Sequence, residues 1–539
     1  MTPQGLVPVW TMGGVARVIP PNAVSDRAFF LFHPTSAIAM PMNQPQLWAI
    51  PGMTILLFNV SVKPISNFVS TMQLVVNFGG GGGGEVKSLA GSGSNSGWQQ
   101  LAKMVLNHVE VISREIVKPS SPTPHHLRNL KLSFLDQIAP PVYVPIILFY
   151  DQPKFGHCFD LKQSLSETLT SFYPLAGRLK SSVTVDCNDA GVEFVEAQVH
   201  ALLLEVIEKP NIEDLKQYLP IEPYGTIGTG TGCREVPLLL AVQVNFFKCG
   251  GMAIGVCISH SIADGSSLVT FINAWAAKSR GDGKVVCPSF DLACHFPPRN
   301  LSGFTPTAGI TKEKIVTRRF VFDKMKLAKL KEAATTTAAS GGGGSQLKDP
   351  TRVEAVSAFI WKHFIEVAKL KSDTKRMFAA VHAVNLRSRM SSPLPDHAFG
   401  NIWRFSSALA TIDNGDLVGQ LRSSIKKIDS DYVKNLQNGD GYVEYLKKAK
   451  ENFSKGEIEL CNFSSWCRFP VYDVDYGWGK PVWVCTTTMP FKNVVILMST
   501  SCGEGIEAWV SMLEDDMAML EQRDHNDKPE NLAYSTKVA

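Results

Sequence analysis

The sequence predicts a soluble α/β protein of more than one domain, and three observations carry that prediction. The chain has 539 residues, more than one hydrophobic core usually serves. Hydrophobic residues make up 45% and charged residues 19%, the balance of a globular protein. From Met104 onward, strand-like alternation and helical periodicity take turns along the chain.

The elements follow in order. Val109–Val117 alternates like a strand, and Pro119, Pro122 and Pro124 then force an extended turn. Tyr143–Tyr150 is short, apolar, β-rich and broken by proline, so it reads as a buried strand and is too short to span a bilayer. Residues 161–172 place Leu161, Leu165, Leu169 and Phe172 on one side of a helix. Residues 238–247 and Met252–Ser259 form a hairpin around Lys248–Gly251. A helix then carries Leu268, Phe271, Ile272 and Trp275 on one face. Residues 335–345, with glycines 341–344, read as a surface loop insertion. A helix follows over 352–370, with Val356, Phe359, Ile360, His363 and Phe364 on one face. Near the end, a strand over 505–510 precedes a helix that lines up Leu513, Met517 and Leu520.

Residues 1–102 differ in kind. They are rich in Pro, Met and Val, hold glycines 79–84, and show no helical period. Such a segment has little to bury and is expected to be mostly disordered, with the apolar run 53–60 as the exception.

The formal charge of +4 is too small at this length to point to a nucleic-acid or membrane partner. Eleven scattered cysteines without a CxxC pair suggest reduced thiols in the cytoplasm, neither a disulfide framework nor a zinc site. No secretory signal opens the sequence. GxSxG, HExxH and GxxxxGK[ST] patterns are absent, and the Gly228/Gly230/Gly232 cluster reads as a plain loop.

Chemistry concentrates at His260-Ser261-Ile262-Ala263-Asp264-Gly265, where a buried strand runs into a helix. A side chain at such a junction is fixed by packing yet reachable by a ligand. Neutral imidazole accepts a proton near physiological pH. Asp264 either orients the ring, as in a triad, or braces the loop through an arginine. The plainer reading is that His260 ends a strand and Asp264 caps a helix. Gly265 is expected to let the chain turn tightly.

Other segments then agree. The His260-x-x-x-Asp264-Gly265 pattern is followed, near the C-terminal end, by Asp475-Tyr476-Gly477-Trp478-Gly479. Softer features are Lys118-Pro119-Ser120-Ser121-Pro122-Thr123-Pro124, Leu132-Ser133-Phe134-Leu135-Asp136-Gln137, Phe172-Tyr173-Pro174-Leu175-Ala176-Gly177-Arg178 and Val384-Asn385-Leu386-Arg387. Together these resemble the BAHD acyltransferases, whose signatures are HxxxD and DFGWG. Tyr476 replaces the phenylalanine of the second. Segments 185–191, 384–390, 463–468 and 484–488 are similar to the vinorine synthase-like group of plant alkaloid acetyltransferases.

The resemblance implies two chloramphenicol acetyltransferase-like domains, 103–282 and 312–525, joined by a crossover loop over 283–311, with a substrate channel between them and a tail over 526–539. It implies a monomer that binds no metal or cofactor. Acetyl-CoA or another acyl-CoA would be the co-substrate, and the acceptor would be a hydroxyl or amine, an alkaloid-type alcohol being favoured. His260 would be the general base, and Asp264 would turn from it to pair with Arg387. Asp475, Tyr476, Gly477, Trp478 and Gly479 would shape the CoA side, with Asp475 structural. A catalytically silent CoA-binding protein of the same fold is the alternative. Residues 1–78 hold pieces such as 5–10, 18–22, 44–51 and 63–67 that resemble the C-terminal region of class I TCP transcription factors, without their DNA-binding part, which implies a chimeric chain.

Overall fold

The computed structural model describes residues 109–151, 158–224 and 237–526, less 284, 303, 307–308, 341–348, 372–376, 411–415 and most of 439–457; within the first 107 residues it describes six strands. The chain divides into two compact units, Met1–Asn107 and His108–Ala539.

In the first unit the strands are β1 Val7–Thr11, β2 Ala16–Ile19, β3 Trp48–Ile50, β4 Met53–Val62, β5 Val69–Phe78 and β6 Lys87–Ser92. They join in one sheet, in the order β2-β1-β3-β4-β5-β6. The run singled out as the exception to disorder is β4. The other five strands stand where little order was expected; their backbones pair despite a composition poor in charge and rich in glycine. The rest of that expectation falls outside the described residues.

The second unit begins with β7 Val109–Val117, β8 Asn129–Lys131, β9 Tyr143–Tyr150, β10 Arg178–Ser181, β11 Thr184–Asp186, β12 Val192–Val199, β13 Leu240–Phe247 and β14 Met252–Ser259. It continues with β15 Ile315–Phe322, β16 Met377–Asn385, β17 Trp403–Ala410, β18 Ile458–Ser465, β19 Trp483–Cys485, β20 Val494–Ser499 and β21 Ile506–Leu513. Two mixed six-stranded sheets result, β19-β9-β14-β13-β12-β7 and β15-β21-β20-β18-β16-β17, with a small sheet β10-β11-β8 beside them.

All eight residues of β9 and of β14 are buried, as central strands covered on both faces require. Helix Cys158–Ser171 packs on helix Gly265–Ser279. The predicted stripe Leu161, Leu165, Leu169 and Phe172 is fully buried, and so are Leu268, Phe271, Ile272 and Trp275. Each such side chain contributes about 1.5–3 kcal/mol by leaving water. The Trp275 indole N–H is satisfied across this interface by the Leu161 carbonyl and the Ser164 hydroxyl.

The second core gathers around helix Arg352–Lys371, where Val356, Ile360 and Phe364 are buried as expected, together with Trp361. Phe359 and His363 lie at its margin, because the buried stripe is turned toward Ala355 and Trp361. Two expectations are corrected. Residues 335–340 belong to helix Lys324–Ser340, since the alanine-rich run continues a good helix; the glycines 341–344 lie outside the described residues, as do Gly228, Gly230 and Gly232. Leu513 ends β21, and the last helix starts one residue later, where Glu514, Asp515 and Asp516 fill its first turn.

The two halves interlock. β19 comes from the second half of the sequence but pairs antiparallel with β9, Trp483 opposite Phe149, extending the first sheet. Trp466, Val471, Val474 and Tyr476 belong to the core of the first half as well. Ser289 and Ala398 are joined by an isolated parallel β-bridge.

Candidate active site

His260 follows directly on β14. Its backbone N–H donates to the Val142 carbonyl at 2.8 Å, and its carbonyl accepts from Asn401 Nδ2 at 2.7 Å. The residue is therefore held from both halves of the molecule. The side chain is half-buried, its ring 5.9 Å from that of Trp403. Nδ1 is sealed from solvent without a hydrogen-bond partner. Burial pushes the imidazole pKa below its ordinary value, with the Asp264 charge opposing in part. The ring is thus neutral at physiological pH and able to accept a proton.

Asp264 makes no hydrogen bond to that ring. Its carboxylate is committed elsewhere: to Arg387 Nη1 and Nη2 at 2.9 and 3.1 Å, to the Ser267 N–H at 2.8 Å and to the Ile402 N–H at 3.0 Å. It caps helix Gly265–Ser279 and pairs with an arginine at once, so the plain capping reading and the bracing reading are both met geometrically. Burial raises its pKa, but the Arg387 charge and these donors outweigh that and hold the carboxyl below its ordinary value. Arg387 is 1% exposed, and its Nε and Nη2 also donate to the Ala398 carbonyl. A buried ion pair this fully hydrogen-bonded fixes geometry across the two halves. Gly265 differs from expectation. It opens the helix with ordinary backbone, and a Cβ there would lie 3.0 Å from the Phe469 ring, so a side chain would require that ring to shift.

A second tie escaped the sequence reading. Asp136 accepts from the Asn401 backbone at 2.8 Å and from Asn401 Nδ2 at 2.9 Å, while Ser133 donates to its other oxygen. Asn401 thereby bridges Asp136 and the His260 carbonyl, and its Oδ1 accepts from Trp403 Nε1 at 3.3 Å. Asp136 lies in the Leu132–Gln137 segment, but nothing in the spacing joins it to position 401.

The Asp475–Gly479 segment is a separate turn. Asp475 Oδ1 accepts from the Gly477 and Gly479 N–H groups at 2.8 and 2.9 Å, and the Arg280 guanidinium donates to the Asp475 carbonyl. Gly477 and Gly479 have φ of +109° and +111°, which L side chains rarely adopt. Tyr476 is buried, edge-on to Trp275 at 4.9 Å and stacked on Trp478 at 5.4 Å, both rings near Tyr150. The turn packs beside helix Gly265–Ser279 and shares no hydrogen bond with His260 or Asp264. Among the described residues no group of three or more His, Cys, Asp or Glu side chains is placed to hold a metal ion.

Residues 107–527 match the model of the Transferase family. That start coincides with the boundary between the two compact units. The chain is 47% identical over 422 residues to stemmadenine O-acetyltransferase of Catharanthus roseus, covering 76% of this chain and 96% of the relative. It is 45% identical over 427 residues to vinorine synthase of Rauvolfia serpentina, with the same coverage. The crystal structure of vinorine synthase matches with a TM-score of 0.65 at 42% identity, over 76% of this chain and 96% of that one. TRI101 of F. graminearum, solved with Coenzyme A and T-2 mycotoxin, shares the fold at 19% identity and a TM-score of 0.60, over 75% and 99%. The chain belongs to the Transferase family, the BAHD acyltransferases, and is a CoA-dependent O-acyltransferase that moves an acyl group from acyl-CoA to a hydroxyl of a small-molecule acceptor.

Proposed function

We propose that His260 is the general base of this reaction, that the acyl group is acetyl, and that the acceptor is an alcohol on a hydrophobic plant specialised metabolite of the alkaloid type. One observation supports the base assignment: the half-buried His260 is held by backbone hydrogen bonds from both halves, with its Nδ1 buried and free of any hydrogen-bond partner. His260 takes the acceptor O–H proton as the oxygen attacks the thioester carbonyl. The tetrahedral intermediate then collapses, the C–S bond breaks, and the thiolate leaves with the proton that His260 returns. Asp264 touches no reacting atom. It is a positioning residue that holds the His260 turn against Arg387. The turn at Asp475–Gly479 is assigned to the CoA side as a packed support. The acetyl and acceptor assignments are supported by the relatives, named as stemmadenine, vinorine and limonoid enzymes.

The protein is further read as a cytoplasmic monomer, with residues 1–102 an extension of separate origin. All nine described cysteines are free. Among the described residues no helix is long and apolar enough to cross a membrane. The family match beginning at residue 107 supports the separate origin.

His260→Ala in the full chain should lower turnover of acetyl-CoA with an alcohol acceptor by about 10² or more. Thermal unfolding should be little changed. In the wild type, kcat/KM should fall on the acid side of an apparent pKa below 6.5 and be flat above it, because burial favours the neutral ring. A variant that keeps wild-type turnover removes His260 from the chemistry.

A further inference from the structure

We propose that the outer face of edge strand β17 is the shelf on which the acceptor's ring skeleton lies, with Phe405 as a specificity-determining residue. This rests on the acyl-acceptor reading above and names where and how the acceptor is held.

β17 alternates strictly: Arg404, Ser406, Ala408 and Ala410 are buried, while Trp403, Phe405, Ser407 and Leu409 face outward. Soluble strands normally place polar residues on such a face. Here Phe405 is 48% exposed and Leu409 47%, and Met377, on the same face of neighbouring β16, is 39% exposed. Opposite Phe405 and Leu409 the partners on β16 are Ala383 and Ala379. Large side chains on the edge beside alanines on the next strand make a trough with an apolar wall.

The trough is continuous with the site. Trp403 lies 5.9 Å from the His260 ring, and Phe405 packs edge-on against Trp403 at 4.8 Å. Followed across the sheet, the same face reaches Ile496 and Trp509, opposite one another on β20 and β21, which are buried in the core of the first half. This face is therefore covered by the other half at one side and open at the β17 side, with His260 beside the open part.

Its chemistry chooses between the two substrates. The β17 face and its β16 partners carry no cationic side chain, so the shelf offers nothing to the phosphates of CoA. It offers ring faces and methyl groups to a rigid, apolar, polycyclic alcohol. Strand spacing orders the contributions: Phe405 is two residues, about 7 Å, from Trp403, and Leu409 is about 20 Å away.

The test uses the full chain with acetyl-CoA, a set of rigid polycyclic alcohols and a set of short open-chain alcohols. Phe405→Ala should raise KM for the polycyclic alcohols about tenfold or more, with KM for acetyl-CoA unchanged. Phe405→Tyr should restore it, and Leu409→Ala should shift it less. Unchanged acceptor KM in Phe405→Ala overturns the proposal, as does wild-type turnover that favours the open-chain alcohols. Failure of every alcohol to release CoA counts against the acyl-acceptor reading instead. Calorimetric titration of the polycyclic alcohols into wild type and Phe405→Ala then decides the shelf alone: weaker binding by the variant supports it, and equal binding overturns it.

Discussion

Two aspartates anchor this molecule's two signature segments, and they spend their carboxylates in opposite ways. Asp264 reaches across the molecule, to Arg387 and the Ile402 N–H in the second half, besides capping its own helix. Asp475 stays at home, binding the N–H groups of Gly477 and Gly479 within four residues of itself. The first turn is a tether whose geometry depends on residues far along the chain. The second is closed by its own carboxylate and located by the Arg280 guanidinium on its backbone and by aromatic packing of Tyr476 and Trp478. A short motif can therefore mark either a long-range joint or a local shape, and its spacing does not say which.

The contrast should break unequally. Asp264→Ala leaves the buried Arg387 uncompensated and should cost about 3–5 kcal/mol, read by denaturant unfolding, with activity falling as the His260 turn loosens. A fully stable but inactive Asp264→Ala would instead argue for direct work on the ring. Because the folded Asp264 pKa is depressed, its contribution is present at neutral pH. It should be lost as pH falls below the ordinary carboxylate value of about 3.9 and through the folded value. Asp475→Ala removes two local hydrogen bonds at a half-exposed site and should cost about 1–2 kcal/mol. KM for acetyl-CoA should respond more than kcat; a drop in kcat alone would place this turn nearer the chemistry than its contacts do. The smallest effect belongs to Tyr476→Phe. The Tyr476 hydroxyl is buried without a partner, so deleting it should change stability by less than about 1 kcal/mol, in the stabilising direction, with the ring stack kept. A loss of several kcal/mol would mean that the hydroxyl is satisfied in solution.

Much of this was legible beforehand because periodicity reports burial directly. β7, β9 and β14 have the limits read from alternation and turn residues, and the Leu161 and Leu268 stripes are buried. His260 was found because it ends an apolar strand, and Arg387 was reached through the family resemblance. What stayed hidden was long-range or depended on shape. Asn401 has no local signal, since its value lies in meeting Asp136 and the His260 carbonyl, which only folding brings together. Gly265 was read as a turn glycine, yet what it answers to is the Phe469 ring, some two hundred residues away in sequence. Leu513 was placed in a helix because its apolar spacing continues into Met517, although hydrogen bonding keeps it in β21.

The late strand β19 has a consequence for how this protein is made. The first sheet is finished by Trp483–Cys485, so β9 keeps an unpaired edge until the ribosome has passed residue 485. That edge is Tyr143–Tyr150, apolar throughout, the kind of segment that recruits other strands when left open. A nascent chain halted before residue 480 would hold the whole His260 turn and yet carry a sticky, incomplete sheet. Chaperone occupancy during translation should therefore persist to the last sixty residues, long after His260 has emerged.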